Sequence, residues 1–270
     1  MRPHLPPEFV HLERSGGVTT ITIDRPPVNA MSRAVVAALE TALETLATDP
    51  ATGVALLRGA GPRGLSAGAD ISEFPALLEP NADARGEGIQ RLADRVEAFP
   101  KPIIVAIHGF CMGGALEIAL ACDIRIAAED ARIGLPEIRI GILPGGGGTQ
   151  RLPRVVGPGR ARLMIFSGEP ITGRRAAEWG LVEEAVAPAE VFDTAAAIAR
   201  TLAAQSSHAL AVIKALLRET SAAPLRDGLR AETAGLARLL AHPDAREGIA
   251  AFLGKREPRW AAPGEGSGDA

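Results

Sequence analysis

Strand-like and helix-like patterns alternate along most of this 270-residue chain, and the strand-like patterns then stop. Longer amphipathic patterns at Ser32–Ala47 and Arg85–Ala98 predict helices between short apolar runs rich in β-branched residues. The runs that predict strands are Val18–Ile23, Gly53–Arg58, Ile103–Ile107, Asp123–Ala127 and Glu183–Ala187. This alternation predicts the α/β class, with a largely parallel sheet covered by helices.

After about Pro188 only helical patterns follow one another. They are Ala189–Ala204, Ser207–Thr220, Pro224–Leu240 and Pro243–Leu253. We therefore divide the chain into a core at 8–195 and a helical C-terminal region at 196–262. The ends, 1–7 and 263–270, are rich in proline or glycine and are expected to be disordered.

The charge and the cysteines exclude several classes of function. The formal net charge is −3 and no basic cluster is interleaved with aromatic residues, so nucleic acid is not an expected partner. His108 and Glu117 interrupt the most apolar run, and no membrane segment or targeting signal is predicted. Helical structure between Cys111 and Cys122 would separate them by about 15 Å, too far for a disulfide, which favours a cytoplasmic location.

The segment "GFCMGGALEIALACD" is the first candidate for chemistry. Glu117 is its only charged side chain before Asp123, and burial without a partner would raise the pKa of this carboxyl toward neutrality. The alternative is that Glu117 lies on the solvent edge of a buried helix. Gly113 and Gly114 open the helix, where unpaired N–H groups suit an oxyanion, although small residues there also allow close packing on a strand.

The segment "GLPEIRIGILPGGGGTQRL" places Glu137 after a proline and before four consecutive glycines. Glycine costs roughly 0.5–1 kcal/mol relative to alanine in regular structure, so this run favours close approach of a ligand or unusual torsions. Glu137 alone could also be a surface loop residue. The glycines lack the lysine and hydroxyl residue of a phosphate-binding loop and the third glycine of a dinucleotide fingerprint.

The segment "GLSAG" also matches the nucleophile elbow of a hydrolase, with Ser66 as the nucleophile. His208 or His242 could then complete a triad. However, "GAGPRG" separates Ser66 from the preceding strand, whereas the elbow must turn directly from strand to helix. A hydrolase is therefore disfavoured.

Three segments, "LSAGADISEF", "KPIIVAIHGFCMGGALEIALACDIRIA" and "IGLPEIRIGILPGGGGTQRLPRVVG", together resemble the enoyl-CoA hydratase/isomerase, or crotonase, family. The resemblance continues through "TGRRAAEWGLVEEAVAP" and "AREGIAAFLGKREPRW" and covers about 7–260, apart from a loop at about 76–89. It implies a crotonase-like spiral of ββα units, followed by a helical region that builds trimers or dimers of trimers.

The resemblance also implies the substrate and the roles of residues. The substrate is an acyl-CoA thioester, and coenzyme A within it is the only cofactor; no metal is expected. The N–H groups of Ala69 and Gly114 form an oxyanion hole. Glu117 activates the water that attacks the β-carbon, Glu137 exchanges the proton at the α-carbon, and Gly145 lies beside the water.

Contacts to the acyl-CoA are implied for a further set of positions: Val28, Ala30, Leu65, Ala67, Asp70, Ile71, Gly113, Pro136, Gly145, Phe252 and Lys255. Because both glutamates are present, we predict an enoyl-CoA hydratase. The alternatives are an isomerase or a specialised acyl-CoA dehydratase of the same fold, and a CoA-binding protein without turnover. His108 and Leu116 depart from the common family pattern without removing a catalytic group.

Overall fold

The structure is a computed structural model and describes residues 9–79 and 87–261. The predicted tails at 1–7 and 263–270, and most of the middle of the loop predicted to vary, lie outside the described residues. The strands are β1 (Val10–Ser15), β2 (Val18–Ile23), β3 (Val54–Gly59), β4 (Gly64–Ser66), β5 (Ile103–Ile107), β6 (Phe110–Met112), β7 (Ile124–Ala128), β8 (Arg132–Gly134), β9 (Ile171–Thr172) and β10 (Glu184–Val186).

Helices connect or follow these strands. They are α1 (Arg33–Thr48), α2 (Glu87–Ala98), α3 (Gly114–Ala121), α4 (Gly148–Val156), α5 (Pro158–Ser167), α6 (Gly173–Trp179), α7 (Val191–Ala203), α8 (Ser207–Thr220), α9 (Leu225–Ala241) and α10 (Pro243–Leu253). Short 3-10 helices are Ile71–Leu77, Glu137–Ile140 and Pro188–Glu190. The predicted α/β class is confirmed.

Two sheets form the core. The larger is six-stranded, in the order β1-β2-β3-β5-β7-β10, and all its pairs except β1–β2 are parallel. The smaller is four-stranded, in the order β4-β6-β8-β9, and its first two pairs are parallel. From β3 to β8 successive strands alternate between the sheets, so the chain advances from β3 to β4 and from β5 to β6 as a spiral of repeating units.

Helix α1 is an example of how a helix packs on the core. Ser32 caps it by accepting a hydrogen bond from the N–H of Val35. One face of the helix is buried in the core, and its residues are Val35, Val36, Ala38, Leu39, Ala42, Leu43 and Leu46. Strands β3 and β5 are almost wholly buried, as expected for parallel strands covered on both faces.

The C-terminal helices attach to this core by specific contacts. Helix α7 packs across β3, β5 and β7, so the boundary predicted at 195/196 falls inside a helix of the core. In α8, the Lys214 ammonium pairs with Asp123 at 2.7 Å. The Trp260 indole N–H donates to the carbonyl of Ala204 at 2.8 Å, so the segment after α10 packs against the C-terminal end of α7. Within the described residues, no helix is long and apolar enough to span a membrane.

Candidate active site

A cavity of about 640 Å³ opens between the two sheets' connecting segments. Its walls come from α1, the 3-10 helix Ile71–Leu77, the first turn of α2, the start of α3 and the segment after the 3-10 helix Glu137–Ile140. Several residues predicted from the sequence line it together, and these are Ala69, Asp70, Gly114, Glu117, Glu137 and Gly145.

A single β-bridge, between Met31 and Ala69, orients the backbone of Ala69 at the cavity. Met31 pairs with Ala69 in parallel, and this bridge uses the carbonyl of Gly68 and the N–H of Asp70. Within 9–79 and 87–261 the N–H of Ala69 donates no hydrogen bond. A parallel bridge leaves the N–H of its central residue pointing away from the partner strand, here at a cavity wall.

The start of α3 provides a second N–H group. Gly113 caps the helix with φ +53° and ψ −126°, a conformation that only glycine adopts readily. Gly114 is the first helical residue, so its N–H has no partner within the helix, and helix geometry places partial positive charge there. A side chain at Gly113 would place Cβ 2.8 Å from Glu137 Oε1, so it would also force the Glu137 carboxyl to move.

Glu117 is buried inside α3 with only 2% of its surface exposed. The alternative in which it lies on the solvent edge is therefore wrong. Its Oε1 accepts a hydrogen bond from the N–H of Gly148 at 2.8 Å, and the N–H of Gly146 also bonds to the carboxylate. Burial raises the pKa of Glu117, whereas the two N–H groups and the charge of Arg151 oppose that rise.

Glu137 begins the 3-10 helix Glu137–Ile140 and faces the same cavity. Its Oε2 is buried and has no hydrogen-bond partner among the described residues. Burial raises the pKa of Glu137 to about 7, the residue's own N–H opposes the rise, and the negative charge of Glu117 adds to it. The two carboxyls thus differ, because backbone N–H groups of the glycine run hold Glu117, whereas Glu137 has only its own N–H.

The glycine run lets the backbone approach Glu117. A Cβ on Gly146 would lie 2.5 Å from Glu117 Oε2, and one on Gly148 would lie 3.0 Å from Oε1. A Cβ on Gly145, in contrast, would meet nothing within 4 Å. Bare backbone at Gly146 and Gly148 is therefore needed for the two N–H bonds, and Gly145 leaves open space at the cavity wall.

The other predicted contact residues do not line this cavity. The N–H of Ala67 donates a hydrogen bond to the carbonyl of Val28, and Ala30 precedes Met31 in the chain. Leu65 is fully buried in β4 and Ile71 is largely exposed. Gly113 and Pro136 lie next to cavity residues in the chain, whereas Phe252 and Lys255 lie at the end of α10, where Phe252 is 84% exposed.

Sequence reasoning missed several residues of the site. The 3-10 helix Ile71–Leu77 contributes Phe74 and Leu77 to an apolar wall, and Ile89 of α2 lies against Gly114 and Gly146. Arg151 donates to the carbonyl of Gly146 at 3.2 Å. Arg151 lies in the first turn of α4, a helix that the sequence patterns do not predict, so no sequence signal pointed to its position.

The hydrolase alternative has no support in the geometry. Ser66 is buried in β4, and its Oγ accepts a hydrogen bond from the N–H of Gly68. His208 and His242 stack on each other with ring centroids 3.9 Å apart, at the starts of α8 and α10. Ser66 is also not part of the cavity wall.

Known proteins are similar to this chain in sequence and in fold. Residues 13–263 match the family described as Enoyl-CoA hydratase/isomerase. A probable enoyl-CoA hydratase of Bacillus subtilis is 45% identical over 246 residues, covering 90% of this chain and 95% of the relative. A carnitinyl-CoA dehydratase of Salmonella enteritidis is 35% identical, covering 94% of this chain and 98% of the relative.

A solved structure agrees with these sequence matches. The crystal structure of enoyl-CoA hydratase from Bacillus anthracis superposes with a TM-score of 0.90 at 34% identity, covering 94% of this chain and 99% of that one. The likeness extends over both the core and the C-terminal helices. The chain belongs to the enoyl-CoA hydratase/isomerase family.

Proposed function

We propose that this protein is an enoyl-CoA hydratase, which adds water across the 2,3-double bond of a 2-enoyl-CoA thioester. The observation that carries the proposal is the meeting of the buried Glu117 and the partly buried Glu137 with the backbone of Ala69 and Gly114 at one cavity. Such a site holds both an acid–base pair and donors for an oxyanion.

The oxyanion hole polarises the thioester carbonyl. Attack at the β-carbon builds negative charge on the carbonyl oxygen, and the N–H groups of Ala69 and Gly114 would stabilise that charge. Removal of one such donor typically costs about 3 kcal/mol of barrier. Because both donors belong to the backbone, their positions follow from the Met31–Ala69 bridge and from the turn at Gly113.

The glutamates divide the proton transfers. The Gly146 and Gly148 N–H groups favour the carboxylate form of Glu117, and in that form Glu117 takes a proton from the water as the water oxygen bonds to the β-carbon. Glu137, with its pKa raised to about 7, is partly protonated at neutral pH, and in that form it gives its proton to the α-carbon. Proton exchange with solvent then restores both groups, and no cofactor beyond the coenzyme A of the substrate takes part.

An isotope experiment tests the reaction. A short-chain trans-2-enoyl-CoA incubated in oxygen-18 water should gain the mass of one water, with the label at the β-carbon. A 3-enoyl-CoA should be converted to its 2-enoyl isomer more slowly. Fast isomerisation without incorporation of label would instead identify an isomerase that uses the same oxyanion hole.

A specialised dehydratase is the second candidate, because carnitinyl-CoA dehydratases are 35% identical to this chain. The same two glutamates would perform the reverse elimination. A panel of enoyl-CoA and 3-hydroxyacyl-CoA thioesters with different acyl groups, followed by absorbance and mass, separates the two candidates. Loss of water from one specialised acid, far faster than any simple enoyl-CoA is hydrated, would favour the dehydratase.

The assembly proposed is a trimer or a dimer of trimers. It is supported by apolar side chains that α8, α9 and α10 leave exposed, including Leu217, Leu225 and Phe252. In this arrangement Phe252 and Lys255 help to close the CoA site of a neighbour. Light scattering at micromolar concentration tests it. A monomer whose CoA affinity is unchanged after deletion beyond Gly248 would contradict it.

A cytoplasmic location is proposed because Cys111 and Cys122 are both buried free thiols, as is common in a reducing compartment. Cell fractionation with a specific antibody would test this directly.

A further inference from the structure

Arg151 connects the glycine run to a helix on the opposite side of it. Its Nη1 donates to the carbonyl of Gly146 at 3.2 Å, while its Nη2 donates to Asp94 and to Glu97 of α2, each at 2.7 Å. Its backbone N–H also donates to the carbonyl of Gly147 at 2.8 Å. The side chain is only 16% exposed. The residue is therefore bonded to the loop at two points and to α2 at two more.

The backbone of the glycine run leaves space for the guanidinium of Arg151. Gly147 has φ +107°, and a Cβ there would lie 2.1 Å from Arg151 Nη1. A side chain at position 147 would thus occupy the place of the guanidinium. On either side of Gly147, the N–H groups of Gly146 and Gly148 point to Glu117. One short loop therefore binds Arg151 through carbonyls and Glu117 through N–H groups.

The contacts of Arg151 contribute little to stability by themselves. Asp94 and Glu97 have side chains that are 65% and 47% exposed, and ion pairs with exposed carboxylates are usually worth about 0–1 kcal/mol. The cation also lies in the first turn of α4, where the helix dipole disfavours it. The larger consequence of Arg151 is the local geometry that it imposes.

We propose that Arg151 is a positioning residue for the reaction: it holds the glycine loop against α2 so that the N–H groups of Gly146 and Gly148 keep Glu117 aimed into the cavity. The proposal rests on the function proposed above. Arg151 itself touches neither substrate nor reacting atoms, since it is not part of the cavity wall.

The electrostatics around Glu117 agree with this role. Burial raises the pKa of Glu117, the Gly148 and Gly146 N–H groups lower it, and the charge of Arg151 lowers it further. Other charged side chains on the cavity wall come from α1, the two flanking 3-10 helices and α2, and they are Arg33, Asp70, Glu73, Arg91 and Glu137. Asp70 pairs with Arg25, and Arg91 pairs with Glu40. Loss of Arg151 would thus remove a positive charge near Glu117, and it would loosen the N–H groups of Gly146 and Gly148 that hold Glu117.

Kinetics of three variants test the proposal. Arg151→Met should lower kcat about 10- to 100-fold, as small misplacements near a reacting group do, with KM close to wild type. The acid limb of its kcat/KM profile should move to higher pH, because Glu117 then holds its proton more tightly. Arg151→Lys keeps the charge but not the planar fork, so it should recover the acid limb and only part of kcat. Arg154→Met is the matched control, since within 9–79 and 87–261 the Arg154 side chain bonds only the carbonyl of Gln150 on the exposed face of α4.

A variant of α2 gives a second route if Arg151→Met does not fold. Asp94→Ala combined with Glu97→Ala leaves Arg151 without its anchor and should lower kcat by less than Arg151→Met. Adding it to Arg151→Lys should lower kcat by less than the product of the separate effects, because these residues act through one contact. Full additivity, or wild-type kcat and acid limb in Arg151→Met, would overturn the proposal.

One measurement needs no turnover. The carboxyl of Glu117, labelled with carbon-13 and assigned by its absence in Glu117→Gln, can be titrated by NMR. Its pKa should be higher in Arg151→Met than in wild type and unchanged in Arg154→Met. An unchanged Glu117 titration refutes the role of Arg151, whereas a wild-type protein that fails to hydrate any enoyl-CoA refutes the proposed function and leaves this titration valid.

Discussion

Helices α1 and α9 have nearly the same length, 16 and 17 residues, yet they are packed very differently. Helix α1 buries a continuous apolar face in the core, including Val35 and Leu39. No residue of α9 is buried by the described part of the chain, although Leu225, Leu229, Leu236 and Leu240 recur at helical spacing. An exposed apolar stripe of this kind is the surface that the proposed assembly would cover.

The different packing of α1 and α9 indicates different roles for the core and for the α8–α10 region. The core, with α1, α3 and the two sheets, completes its own packing and holds the cavity groups within one protomer. The α8–α10 region instead leaves large apolar side chains exposed, and the proposed assembly would cover them. Changes in the core should therefore affect chemistry at any protein concentration, whereas changes on α9 should act through assembly.

The largest effect is expected at the two carboxyls of the core. Glu117→Gln and Glu137→Gln should each lower kcat by about 10²–10⁴ while leaving acyl-CoA binding nearly intact, because positioned acid–base groups contribute that much to rate. Steady-state kinetics and calorimetric titration with a substrate analogue measure both quantities. Glu169→Gln is the control, since Glu169 is an exposed carboxylate paired with Arg139. Wild-type turnover in either active-site variant would remove that residue from the mechanism.

The next effect is expected on α9. Leu229→Glu combined with Leu236→Glu should raise the dissociation constant of the assembly by about 10²- to 10⁴-fold, since each buried leucine contributes about 1.5–3 kcal/mol. Both side chains are more than half exposed, so the fold of the protomer should be retained. Analytical ultracentrifugation and circular dichroism check the two parts. Arg226→Ala, which leaves the apolar stripe intact, should change neither, and an unaltered assembly in the leucine variant would contradict the proposed interface.

The C-terminal helices were also the easiest part to predict from sequence. Helices α8 and α10 have the predicted bounds, Ser207–Thr220 and Pro243–Leu253, as do strands β2 and β5. Their signals are local: a serine cap and a proline in the first turn for the helices, and β-branched runs for the strands. Local signals are sufficient where an element's identity depends on its own residues.

The smaller sheet was not predicted, for a physical reason. Strands β4, β6 and β8 have only three residues each, too few for a periodic pattern, and they exist because they pair with one another. This sheet carries the chain to Ala69 and to Gly114, so the meeting of the oxyanion donors is a tertiary property. Helix α4 was also missed, because Gly148 begins it and Pro153 lies within it.

A single methyl group at the start of α3 should damage the site. Gly113→Ala forces a conformation that costs about 1–3 kcal/mol for a residue with a side chain, and its Cβ would displace Glu137. We expect lower stability and at least about a 10²-fold loss of kcat/KM. Gly180→Ala is a milder control at positive φ, since Gly180 is in the left-handed region at φ +73° and ψ +21° with nothing within 4 Å of its Cβ, and it should lose stability alone. Equal activity in the two variants would show that Gly113 is required only for its torsions.

The same substitution on α9 should have the opposite sign and the smallest effect. Gly235 lies mid-helix, and a Cβ there would meet Val212 Cγ1 at 3.7 Å and Leu216 Cδ2 at 3.9 Å, which are ordinary contacts with α8. Gly235→Ala should therefore stabilise the protein by about 0.5–1 kcal/mol, since glycine is costly inside a helix. Thermal unfolding should be compared in wild type and in the Leu229→Glu, Leu236→Glu background. A gain in both means that the methyl acts within one protomer, whereas a loss only in the assembled protein would place Gly235 against the neighbouring chain.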